Sequence, residues 1–165
     1  MKPFLWPSLA LSAFVLVACQ PADPVQQAAV KLKPAIDAYI YAWNTGDVDT
    51  LDTVCDRSIV RYEWAIPTIS LDSLKQLIKT ERIILSDLKM SIDEEFYVGD
   101  HAFLRYTVSG KNTGAGSFPP TGKSFRMSGM SLFRFAGSKI AEVRSGLDAY
   151  GFFDQLGFKL VHPAK

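Results

Sequence analysis

The segment RSGLDAYGFFDQLG, Arg144 to Gly157, sets one carboxyl group, Asp148, at the head of an apolar run. An ionised carboxylate in apolar surroundings is costly and keeps its proton to higher pH. A group tuned in this way exchanges protons near neutrality, which is what proton abstraction beside a carbonyl requires. Strand alternation puts Glu142, Arg144, Gly146 and Asp148 on one face. Arg144 next to Asp148 would draw its pKa back down and favour the ionised base. The plainer alternative is that Asp148 caps a helix beginning at Ala149, or pairs with Arg144 for stability alone. Asp148 and Arg144 are the catalytic candidates.

Aromatic side chains supply the candidate ligand contacts: Tyr39, Trp43, Tyr62, Trp64 and Phe133, with Phe125, Met127 and Phe153 beside them. Eleven Phe, six Tyr and three Trp are enough to line an apolar pocket and equally enough to fill an ordinary core. Tyr62 or Tyr106 could donate a hydrogen bond to an enolate oxygen. Glu63 alternates to the opposite face from Tyr62 and Trp64 and reads as solvated. GSFPPTGKS imitates a phosphate loop, but five residues separate Gly116 from Gly122 and the segment enters a strand, so it reads as a hairpin loop. His101 and His162 stand far apart in sequence, and no metal or cofactor is expected.

The elements that must hold these residues follow from the periodicity. Gln20 to Lys33 is small, polar and Pro-containing, a tether entering a first helical turn. Leu32, Ile36, Tyr39, Ile40 and Trp43 then form one helical stripe, ended by Gly46. A short second helix spans Val48 to about Val54, and SIVRYEWAI reads as a strand. Ser70 caps a third helix with Leu71, Leu74, Leu77, Ile78, Ile84 and Leu85 inside. The period then changes to two: KMSIDEEFYV, a Gly99-Asp100 turn, HAFLRYTVSG, a long loop, KSFRMSGMSLFRF, an AGS turn and KIAEVRSGLD. A short helix closes the chain. Helices followed by an antiparallel meander make an α+β domain with the helices gathered against one curved sheet. Cys55, at the end of the second helix, reads as a buried structural thiol.

At the N-terminus, Lys2 precedes an apolar stretch from Phe4 to Val17 that is short for a membrane span and interrupted by Pro7. It ends in Leu16-Val17-Ala18-Cys19, which resembles the bacterial lipoprotein lipobox. That resemblance implies cleavage before Cys19, diacylation of its thiol, and anchoring in the cell envelope. Gln20 after the cysteine favours the outer membrane, facing the periplasm. The expected organisation is a signal peptide over 1–18, a lipidated tether over 19–30 and a domain over 31–160. Without Lys2 the basic and acidic side chains balance at 17 each, so no long-range charge draws nucleic acid.

AWNTGDVDTLD, PPTGKSFRMSGMSLFRF, GSKIAEV and LDAYGFFDQLG, in this order across Val30 to Gly157, resemble the SnoaL-like polyketide and ester cyclases of the nuclear transport factor 2-like superfamily. The resemblance implies a cone-shaped α+β barrel: N-terminal helices packed in a strongly curved antiparallel sheet, with an apolar cavity at the wide end. It also implies an Asp acid/base before the G-x-x-x-Q-L-G segment, the place Asp148 holds. Cyclising members carry a His on the preceding strand; here that region holds Arg126, Ser128 and Met130, and Arg126 is the substrate-binding candidate. The function implied is binding of a small apolar carbonyl compound, with proton transfer of isomerase or cyclase type. The alternatives are an envelope lipoprotein serving as ligand carrier or docking scaffold, and an epoxide hydrolase built on an Arg with two carboxylates. A homodimer through the outer face of the sheet is a further implication.

Overall fold

A computed structural model describes residues 23–63, 67–159 and 161. Helix α1 (Pro24–Thr45) begins where Asp23 Oδ1 accepts the Val25 N–H at 2.9 Å and Pro24 occupies the first turn. Residues 24–30, expected as tether, are therefore helical, and Ala28 is already buried. Leu32, Ile36, Tyr39 and Trp43 form the buried stripe, and Gly46 ends the helix at φ 81°. The last carbonyls of α1 do not lack donors: Arg82 Nη1 reaches Trp43 O and Asn44 O at 2.8 Å each. Asn44 in turn bonds both the N–H and the carbonyl of Met90, at 2.7 and 2.9 Å. These bonds fix the end of α1 that carries Trp43.

A 3₁₀ turn (Val48–Thr50) and helix α2 (Leu51–Val54) lead into β1 (Cys55–Tyr62) and the short β2 (Thr68–Ile69). Helix α3 (Leu71–Ile84), capped by Ser70, is followed by β3 (Leu85–Val98), β4 (His101–Asn112), β5 (Ser124–Ala136), β6 (Lys139–Leu147) and helix α4 (Ala149–Leu156). Leu85, expected as the last inner residue of α3, opens β3 instead. Among the described residues the strands form one six-stranded sheet in the order β2-β1-β6-β5-β4-β3. The antiparallel meander is present from β3 to β6, but β1 lies parallel to β6, so the sheet is mixed. A parallel pair joins segments far apart in the chain, and no local period announces it.

Register shifts in β3, between β5 and β6, and between β1 and β6 bend the sheet around the helices without closing it. The core fills the concave side: Phe133 packs edge-to-face on Tyr39 at 5.3 Å, among Leu32, Ile36, Leu104 and Val143. Cys55 is buried there, and burial pushes its thiol up to about 12. Among the described residues no helix is long and apolar enough to cross a membrane.

Candidate functional site

Between the helices and the curved sheet lies a cavity of about 510 Å³. Its walls are apolar: Leu77, Leu88, Val108, Met127, Phe152 and Phe153 contribute from α3, three strands and α4. Phe118, from the loop joining β4 to β5, completes the lining and stacks edge-on against Phe152, Phe153 and Phe158 at 5.5–5.8 Å. That loop is held by Asn112, which is fully buried and whose Oδ1 accepts the Thr121 N–H at 2.7 Å. The hairpin reading of GSFPPTGKS holds, and the loop serves as a wall of the cavity.

Three charged side chains enter this apolar lining: Arg61, Glu63 and Glu81. Ile59, Arg61 and Glu63 share the inner face of β1 and its extension, and Arg61 forms an ion pair with Glu63. Their side chains are 9% and 12% exposed, so the pair is buried. The Arg61 guanidinium also lies 5.3 Å from the Trp43 ring centroid. Glu81 projects from α3 one turn beyond Leu77. Burial pushes its carboxyl above the usual glutamate range, and the positive charge of Arg61 opposes part of that rise.

The parity of β1 was legible, but its direction is the reverse of the expectation. Tyr62 faces outward and Glu63 inward, because alternation separates two faces without saying which is buried. Trp64 lies outside the described residues, as does Cys19. Tyr62 packs beneath the Arg144 guanidinium at 4.2 Å. Arg126 is also on the outer face; its backbone N–H and carbonyl are both bonded by the Gln155 amide, which ties α4 to β5.

Glu142, Arg144, Gly146 and Asp148 do share one face, and it is the outer one. Leu147 pairs with buried Gly129 and lines the cavity, so its neighbours on either side point away. Asp148 is exposed and caps α4, its Oδ1 accepting the Gly151 N–H at 2.9 Å. Arg144 bonds Glu142 at 2.6 Å. We expect Asp148→Ala to cost about 1 kcal/mol of stability through the lost cap and to leave ligand affinity at the cavity unchanged. Paired denaturation and binding measurements check this, and a large loss of binding would contradict it.

Behind the cavity lies a second chamber of about 10 Å³, lined by Tyr39, Trp43, Arg61, Tyr106, Ser131 and Phe133 among others. Trp43, Arg61, Met90 and Tyr106 line both spaces, so the two adjoin. Ser131 Oγ donates to Tyr106 Oη at 3.1 Å and meets Ser145 Oγ at 2.7 Å. The Tyr39 hydroxyl and the Trp43 Nε1–H are buried without a hydrogen bond of good geometry. The indole is still near enough to favour the phenolate slightly, against the dominant effect of burial, which raises the Tyr39 pKa. Unpaired buried polar groups cost about 1–3 kcal/mol each. Thus Tyr39, Trp43 and Phe133 stand at the cavity or the chamber, and Tyr62 and Arg126 do not.

Sequence reasoning missed Arg61 and Glu81. For Glu81 a signal existed: it falls on the apolar stripe of α3, three residues beyond Ile78 and three before Ile84. A lone carboxylate on a buried helical stripe is the pattern to look for.

The fold is similar to that of TsrD from Streptomyces laurentii, with a TM-score of 0.72 and 22% identity over 78% of this chain and 96% of that one. It is also similar to a protein with a ketosteroid isomerase-like fold from Catenulispora acidiphila, solved with trimethylamine, with a TM-score of 0.67 and 15% identity over 78% and 95% of the two chains. An epoxide hydrolase of M. tuberculosis, described as LEH-like, gives a TM-score of 0.63 and 14% identity over 79% and 91%. At these identities the likeness is one of fold. No curated protein matches the sequence. The family profile of the SnoaL-like polyketide cyclases matches residues 33–156, most of the chain, with the curved sheet and its cavity inside the matched span, and the chain belongs to that family.

Proposed function

We propose that the cavity takes up a small apolar molecule bearing a carbonyl group and moves a proton on the carbon beside it, the chemistry of isomerases and cyclases. The observation that carries this reading is Glu81, a carboxyl group in an apolar lining whose burial raises its pKa above the ordinary glutamate value. A raised pKa makes the carboxylate a stronger base toward a carbon acid than an ordinary glutamate. As the proton passes to Glu81, the C–H electron pair becomes the C=C bond of an enolate and the carbonyl π pair moves onto oxygen. Arg61 lies near enough to weigh on the carboxyl and is itself neutralised by Glu63. The test is exchange: the domain should catalyse deuterium incorporation beside the carbonyl of 2-tetralone, followed by NMR. Binding without any exchange above the buffer rate would leave a ligand carrier.

A second reading draws on the same three charges. An Arg with two carboxylates at a cavity suits the opening of an epoxide by water, and Arg61, Glu63 and Glu81 supply that set. Diol formation from a cyclic epoxide, without exchange into the ketone, would favour it.

The LVAC sequence at Leu16–Cys19 supports a lipid anchor in the bacterial envelope, on the periplasmic side of the outer membrane. Cys19→Ala should abolish palmitate labelling and release the chain from the membrane fraction; labelling that persists would contradict the anchor. For a homodimer, the supporting feature is an exposed row across the outer sheet face, Phe96, Phe103, Leu132, Arg144 and Tyr62, each paired in register with the next. A monomeric mass at micromolar concentration would argue against it.

A further inference from the structure

A small chamber adjoins the cavity at Trp43, Arg61, Met90 and Tyr106. Its size, about 10 Å³, suits a single oxygen atom, since one water needs roughly 10–15 Å³ of such space. Its donors are specific. Trp43 Nε1 can only donate, and the Tyr39 hydroxyl beside it makes no hydrogen bond of good geometry; the two residues are 6% and 3% exposed. The third hydroxyl is already oriented. Ser131 gives its proton to Tyr106 Oη, so Ser145 supplies the proton of the bond between the two serines. Tyr106 therefore accepts from behind, and its own phenol proton is free to be donated forward. The occupant must then present lone pairs and need offer no proton.

Charge narrows the choice further. Arg61 borders the chamber, but Glu63 already balances it, so a carboxylate would gain no unpaired cation. A neutral carbonyl oxygen fits, since it presents lone pairs and brings no charge that needs a partner.

We propose that this chamber is a carbonyl-oxygen subsite, in which Tyr39, Trp43 and Tyr106 receive one oxygen of a ligand whose apolar body fills the larger cavity. It rests on the reading of that cavity as a ligand site. It adds an orientation, oxygen inward toward α1 and the sheet, and a selection for unhindered ketones over carboxylates and hydrocarbons of the same shape.

The experiment compares 2-tetralone with tetralin, the hydrocarbon of nearly the same shape, by calorimetric or fluorescence titration of the unaltered chain and of Tyr39→Phe. Removing a hydroxyl that makes no hydrogen bond of good geometry should leave the fold intact, and tetralin binding reports on that directly. The expected result is a loss of about tenfold in 2-tetralone affinity, the worth of one good hydrogen bond, with tetralin unchanged. Ser131→Ala, which unties Tyr106, should weaken the ketone alone in the same sense. Equal effects on both ligands, or none on either, would overturn the subsite while leaving the cavity reading standing. Failure of both ligands to bind the unaltered domain would overturn the two together.

Discussion

Glu81→Gln should reduce deuterium exchange into bound 2-tetralone by about 10²–10⁴-fold, the usual contribution of a positioned general base. The amide keeps the shape of the carboxyl, so ketone affinity should stay within a few-fold. The same substitution has a signature in stability. Because burial raises the Glu81 pKa in the folded chain, the unfolded chain ionises first as pH rises. The native state is therefore favoured below the ordinary glutamate value and loses that advantage as pH climbs through the raised one. Glu81→Gln is free of this loss, so its stability relative to the unaltered domain should grow as pH climbs from the ordinary glutamate pKa through the range of the raised one. Exchange that survives the substitution, or a stability difference flat across that range, would remove Glu81 from the chemistry.

Arg61→Met should destabilise the domain by about 3–5 kcal/mol, because it strands Glu63 without its cation in a side-chain environment only 12% exposed. Methionine retains much of the stem that packs beside Trp43, so the loss is chiefly that of the charge. Replacing both members, Arg61→Met with Glu63→Leu, should recover most of the stability, since a buried pair exchanged for apolar groups of similar volume is often neutral. Urea denaturation of the two variants and of Glu63→Leu closes the cycle. A single variant within about 1 kcal/mol of the unaltered domain would mean that water reaches the pair freely. In Arg61→Met the Glu81 pKa should also rise further, since the one charge opposing its burial is gone.

The α+β class, the α1 stripe, the Gly46 stop, the Gly99 and Gly137 turns and the closing helix were all legible, because each rests on local periodicity or on a backbone position suited to glycine. The parallel contact of β1 with β6 was not legible, since only tertiary packing brings those segments together. The site divides along the same line. The family's motif drew attention to Asp148, and strand alternation correctly grouped it with Glu142 and Arg144; which side of the sheet that group faces depends on the pairing of Leu147 with Gly129. Glu63 was misplaced for the same reason, as parity carries no sign. Arg61 looked like an ordinary strand arginine because its partners, Glu63 inward and Trp43 on a distant helix, appear only in the fold. The chamber drew on residues of α1, β1, β3, β4, β5 and β6, and no window of sequence contains them together.

The central claim is that the cavity holds a carboxyl group poised to exchange a proton with its ligand, and that Glu81 is that group. An NMR titration of the Glu81 side-chain carboxyl tests it most directly, with and without 2-tetralone and with Glu81→Gln to assign the signal. The account predicts a pKa above the ordinary glutamate value and a further change when the ketone binds. An ordinary or lowered pKa that ignores the ligand would contradict it.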